Sequence, residues 1–208
     1  MSQHALTPES RLLVRQRVVE HTARIFRRCG IKPVKMDDIA HDLQMSKRTI
    51  YQLFRDKEEL LAACLENDKQ QHDVMFRELL SDTNNRLEAI LLFFKRRMME
   101  IEATSPRYFH DLASYPQVLE SFLRQREEMA ERAIAFLNKG IDEGLFRKEI
   151  NFDIVFRLIA QMSDNNIGEA YFKGRTPLSE LYANTVIVYL RGCLTEAGLR
   201  VMEQIWGK

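Results

Sequence analysis

The chain has 208 residues, 45% hydrophobic and 29% charged, with only eight Gly and five Pro. That suits one or two globular domains and disfavours turn-rich β folds and low-complexity tails. The net charge of +1 hides an asymmetry: residues 1–57 carry 12 Lys and Arg against 6 Asp and Glu, the remainder 19 against 24. A basic end on a mildly acidic body points to a polyanion partner at that end. No apolar run approaches the roughly 18 residues of a membrane span, and no basic-then-apolar leader is visible, so the expected setting is cytoplasmic with no membrane partner. Cys29, Cys64 and Cys193 are odd in number and far apart, which fits a reducing compartment.

Helix signals punctuate the chain from the start. Thr7-Pro8-Glu9 opens a first helix with a cap, a first-turn proline and an acid at the positive end of the dipole. Val18, Thr22, Ile25, Phe26 and Cys29 recur on its inner face, and Gly30 and Pro33 end it. A short helix follows, roughly Met36 to Leu43, with Met36, Ile39, Ala40 and Leu43 inward. After a break at Gln44-Met45, Ser46 caps a third helix from Lys47 to Phe54. Asp56 caps a fourth, from Lys57 to about Leu80.

The remainder continues in the same period. Helices are expected over about Asn84–Ala103, after Pro106, from Pro116 to about Glu143, from Asn151 to about Lys173, and from Pro177 onward as one last long segment. No segment alternates with period two. The expected fold class is all-α, about nine helices: a three-helix N-terminal domain over 1–57 and a helical domain over 58–208.

Met36 to Phe54 has the layout of a helix-turn-helix, whose second helix enters the DNA major groove. Ala40 supplies the small residue at the helix crossing, and Ile50 and Phe54 anchor the second helix. Lys47, Arg48, Thr49, Tyr51 and Gln52 offer donors on its outer face. Arg48 can give two bonds to one guanine, and Gln52 is a second base-reading candidate. Lys57, Lys35 and the amides opening the second helix are phosphate candidates.

The run D-D-I-A-H-D-L-Q-M-S-K-R-T-I-Y-Q-L-F-R-D-K-E-E-L, with Phe26-x-x-x-Gly30 upstream, resembles the DNA-binding domain of TetR/AcrR-type bacterial transcriptional regulators. Ile39-Ala40, Ser46, Thr49, Tyr51, Phe54 and Lys57-Glu58-x-Leu60 fall at the family spacing, within about the first 65 residues. Gly140 to Phe146 resembles the end of a long helix in many members. The resemblance implies phosphate contacts at Thr49 and Tyr51, and a DNA-contacting surface that includes Ser46. Two residues depart from the pattern. Gln44 stands where the turn usually has Gly, which strains or reshapes the turn. Lys35 stands at the usual Ser/Thr cap, where lysine cannot accept an orphan N–H.

A helix-turn-helix reader needs a symmetric partner. Leu178, Leu181, Thr185, Val188, Gly192 and Thr195 recur at helix-packing spacing in the last helix and form the candidate homodimer seam. Packing of such a seam into a four-helix bundle between protomers, and an effector pocket in the C-terminal domain, are what the resemblance implies. Pocket candidates are Phe94, Met98, Phe109, Tyr115, Phe122, Met129, Met162 and Asn166. A stripe of this kind also serves as plain core.

His72-Asp73 and His110-Asp111 are adjacent pairs, but helical neighbours diverge by about 100° and make no shared site by themselves. No metal-ligand spacing, phosphate loop or nucleophile elbow is present, so neither cofactor nor enzyme activity is expected. The expected protein is a homodimeric regulator, most simply a repressor, that binds double-stranded DNA and answers to a small-molecule effector. The alternative is a helical ligand-binding or protein-interaction module with weak or lost DNA binding.

Overall fold

The computed structural model describes residues 7–163 and 177–206. Their regular structure is helical: α1 Pro8–Cys29, α2 Met36–Asp42, α3 Lys47–Leu53, α4 Lys57–Asp82, α5 Arg86–Glu102, α6 Pro106–Leu112, α7 Pro116–Ile141, α8 Phe152–Ser163, α9 Leu178–Cys193 and α10 Glu196–Trp206. That is ten helices among the described residues where about nine were expected.

The local signals act as their chemistry requires. Thr7 Oγ1 accepts from the Ser10 amide at 3.2 Å, and Gly30, at φ 87, closes α1 with its N–H on the Phe26 carbonyl. Asp56 Oδ1 accepts the Glu59 amide at 2.8 Å to open α4. Asn85 and Ser105 cap α5 and α6. Asn151 Oδ1 accepts the amides of Asp153 and Ile154 to open α8.

The expected single last helix is corrected to two, α9 and α10. Leu194 leaves helical geometry at φ −91, ψ 146, forms an antiparallel bridge with Phe146, and is 3% exposed. Cys193 O accepts the Arg147 amide at 2.9 Å, and the Thr195 amide donates to Leu145 O at 3.1 Å. Thr195 Oγ1 donates to Gly144 O and accepts from the Gly198 amide, so it caps α10. Pairing with a segment some 50 residues away therefore outweighs helical continuity.

The described residues pack as two compact units, one from 7–71 with 104–122, the other from 72–103 with 123–206. The first core is built on Phe26, Ile39, Ile50, Phe54, Leu60 and Leu61, with Tyr108, Leu112 and Val118 supplied by α6 and early α7. The second is built on Leu87, Leu91, Phe146, Phe152, Val186 and Met202. Each fully buried side chain of this size contributes about 1.5–3 kcal/mol. The helix-turn-helix thus shares its core with α1, the first half of α4 and α6.

Candidate nucleic-acid interface

The site is α2, its turn, and α3. Ala40 is 1% exposed on α2, and its carbonyl accepts the Met45 amide at 2.8 Å, which folds the chain back sharply. Gln44 sits at φ 55, the only non-glycine with positive φ among the described residues. The turn thus keeps the left-handed residue that a glycine would supply, at a steric cost of about 1–2 kcal/mol. Ser46 Oγ accepts the Thr49 amide at 3.1 Å and lies 2.8 Å from the Thr49 hydroxyl. The hydroxyl pair uses one of its two protons in this bond, which leaves the other to donate outward.

Seven residues cannot hold a helix in water alone. Packing does it: Ile50, Leu53 and Phe54 are buried, and α2 lies directly against α3. On the opposite side Lys47, Arg48, Tyr51 and Gln52 are exposed, with Tyr51 half in solvent. The alternation leaves the donors outward on a rigid support.

The outward residues differ in their commitments. Lys47 Nζ lies 2.5 Å from Asp37 Oδ2 of α2; the hydrogen bond to that carboxylate, then its charge, raise the lysine above its ordinary pKa. Lys35 is exposed and its side chain makes no cap bond, while Asp38 Oδ2 accepts the Lys35 amide at 3.0 Å and does part of the capping instead. Lys57 is partly buried. Its ammonium donates to Lys32 O at 3.1 Å and stands 5.9 Å from the Phe26 ring centroid. Burial lowers its pKa, partly offset by Asp111 and Asp38. A phosphate would have to compete with that carbonyl.

Two arginines of α1 belong to the site and escaped the sequence reading. Arg11 donates to the Gln52 carbonyl at 3.0 Å, and Arg15 stands 4.7 Å over the Phe54 ring. Together they hold the C-terminal end of α3. Their i, i+4 spacing was visible, but nothing local says which helix they meet.

The remaining candidates divide. On α9, Val188 is 69% exposed, Leu181 and Thr185 are partly exposed, and a Cβ at Gly192 would meet no atom within 4 Å. Thr195 lies beyond the end of α9 and caps α10, so it does not continue the helical spacing of that seam. Among the pocket candidates, Phe109, Tyr115 and Phe122 pack on the first core and Phe94 on the second. Burial, then Asp111 and Glu58, push the Tyr115 hydroxyl up from its ordinary pKa. Met98 is partly buried on α5. Asn166 lies outside the described residues, as do the side chains of Met129, Met162 and Leu178. Among the described residues no group of three or more His, Cys, Asp or Glu could hold a metal, and no helix is long and apolar enough to cross a membrane.

Residues 18–64 match the family model described as "Bacterial regulatory proteins, tetR family". The chain is 27% identical over 152 residues to the HTH-type transcriptional repressor KstR2 of Mycobacterium tuberculosis, covering 70% of this chain and 75% of that one. With KstR2 of Mycolicibacterium smegmatis it is 23% identical over 202 residues, covering 92% and 95%. Solved structures show the same fold. The ketosteroid transcriptional regulator KstR2 of M. tuberculosis superposes with a TM-score of 0.52 at 24% identity over 93% of this chain and 100% of that one. A TetR-family regulator from Agrobacterium tumefaciens gives 0.67 at 14% identity over 91% and 100%.

Proposed function

We propose, from the match of residues 18–64 to the tetR-family model and the similarity to KstR2, that the chain is a TetR-type transcriptional regulator, a repressor that binds a palindromic operator as a homodimer. A small-molecule effector releases it. The observation that carries the reading is α3 itself: Ile50, Leu53 and Phe54 buried on one side, Arg48, Tyr51 and Gln52 exposed on the other. Arg48 reads a base edge; Thr49, Tyr51 and Lys35 track phosphates.

Residues 1–57 read DNA and residues 58–208 dimerise and take the effector. Support for the dimer comes from α8 and α9, which pack together yet leave Ile154 55%, Leu158 42% and Val188 69% exposed. Apolar side chains exposed to that degree on neighbouring helices favour a second copy as their cover. An effector acts only through a difference in affinity between the DNA-competent state and another. Because the M. tuberculosis KstR2 is a ketosteroid transcriptional regulator, a steroid-type probe is the first to try.

The alternative of lost DNA binding rests on Gln44 and Lys35. Gln44 adopts the left-handed geometry the turn needs, and Asp38 takes over part of the cap at Lys35, so both departures are accommodated. The deciding experiment selects duplexes from a random-sequence pool at about 150 mM salt, where non-specific phosphate binding is weak. An enriched inverted repeat is expected. Folded dimer that enriches nothing, with and without candidate effectors, would rule the reading out.

A further inference from the structure

A seven-residue helix, α6, is fastened at three points to the corner between α1 and α2. The Ser105 amide, just before α6, donates to Arg27 O at 2.7 Å in the last turn of α1. Gly30 leaves no room there: a Cβ would meet Arg107 Cγ at 2.5 Å and Asp111 Oδ2 at 2.9 Å. Asp111 Oδ2 then accepts two consecutive amides, Ile31 and Lys32, each at 2.8 Å. Lys57 of α4 takes the other backbone group of Lys32, its carbonyl, at 3.1 Å. Both backbone groups of Lys32 are thus held by charged side chains from elsewhere in the chain.

Asp111 is 3% exposed. A buried carboxylate is costly unless charge-assisted hydrogen bonds compensate it, and two such bonds tie Asp111 to one corner. Three residues beyond that corner the chain reaches Lys35 and enters α2. Val34 and Met36 are buried on either side of Lys35, so this stretch has little freedom to absorb a shift. Since α2 packs directly on α3, the orientation of the corner is passed to the outward face of α3.

We propose that Asp111 is a positioning residue for DNA recognition, holding the α1–α2 corner so that α3 presents its base-reading side chains at the angle the operator requires. This rests on the DNA-binding reading above. Base contacts depend on that angle, whereas phosphate contacts tolerate small rotations. Loss of Asp111 therefore lowers the preference for operator over random duplex rather than overall DNA affinity.

The test compares Asp111→Ala, Asp111→Asn and Leu112→Ala with the parent chain. Leu112 is a neighbouring core residue, 4% exposed, whose truncation destabilises the same unit but leaves the Asp111 hydrogen bonds to the corner in place. Operator and random-duplex affinities are measured across a salt series below every variant's thermal transition, with amide exchange at Ile31 and Lys32. D111A is expected to bind operator about tenfold more weakly, with unchanged random-duplex affinity and salt slope. D111N, which keeps an acceptor but not the charge, falls between, and both exchange faster at Ile31 and Lys32. L112A retains the parent's discrimination. Parent-like discrimination in D111A and D111N, or an equal loss in L112A, overturns the proposal; if D111A does not fold, D111N against L112A decides. A parent chain that selects no sequence at all instead overturns the DNA-binding reading, and this proposal with it.

Discussion

At the scale of single residues, two basic side chains with the same formal charge are given different tasks by their positions. Arg48 begins the recognition helix, exposed, with five fixed donors suited to a guanine edge. Lys35 stands before α2, exposed, with its side chain outside the cap. Arg48→Ala is therefore expected to relax the preference at one base pair, at a cost of about 1–3 kcal/mol on the best sequence. Lys35→Ala should weaken all duplexes alike and reduce the salt slope by about one. Competition binding across single-base operator variants checks this, and indistinguishable profiles would refute the division. Lys47 shows why charge alone does not assign a role: it lies within hydrogen-bond reach of Asp37 and ties α2 to α3.

At the scale of elements, the turn between α2 and α3 is the place where local preference and tertiary need disagree. Packing of Ala40, Ile50 and Phe54 requires a left-handed residue at position 44, and glutamine occupies it at φ 55. Gln44→Gly removes a steric cost of about 1–2 kcal/mol but adds roughly 0.5–1 kcal/mol of unfolded-state entropy. The expected result is a net gain of about 0.5–1 kcal/mol in urea unfolding with m unchanged. A loss of stability would mean that the Gln44 side chain contributes contacts outweighing the strain. The break between α9 and α10 is the opposite case. Thr195-Glu196 is a readable cap-and-acid signature, yet the apolar rhythm continues through it, and the bridge to Phe146 decides the outcome.

At the scale of the whole molecule, the proposed dimer depends on the outward face of α8 and α9. Val188 is the most exposed apolar side chain among those described in α9, and Gly192 one turn on has open space before it. Val188→Glu places a charge where a second copy would bury it, without replacing Val186, Leu190 or Cys193, which that helix buries in the core. The variant should sediment as a folded monomer and bind a full operator about 10²-fold or more weakly, because the second half-site no longer adds its avidity. A variant that stays dimeric would move the interface elsewhere. Thr195 lies outside this test, since it caps α10.

The amino-acid sequence specified most helix starts and stops, though not the break at Leu194, because caps, prolines and glycines act within four residues of themselves. Thr7, Ser46, Asp56 and Asn151 each cap the helix expected of them. It also determined the helix-turn-helix, whose inward and outward residues are separated by period alone. The partnerships made over long chain separations emerge only when the helices pack. Asp111, read as one half of an adjacent His-Asp pair, instead reaches Ile31 and Lys32, about 80 residues away. Arg11 and Arg15 meet the end of α3, and Lys57 spends its ammonium on Lys32. Such contacts leave no periodic trace, since their energy depends on the position of a distant backbone group and not on any neighbour in the chain.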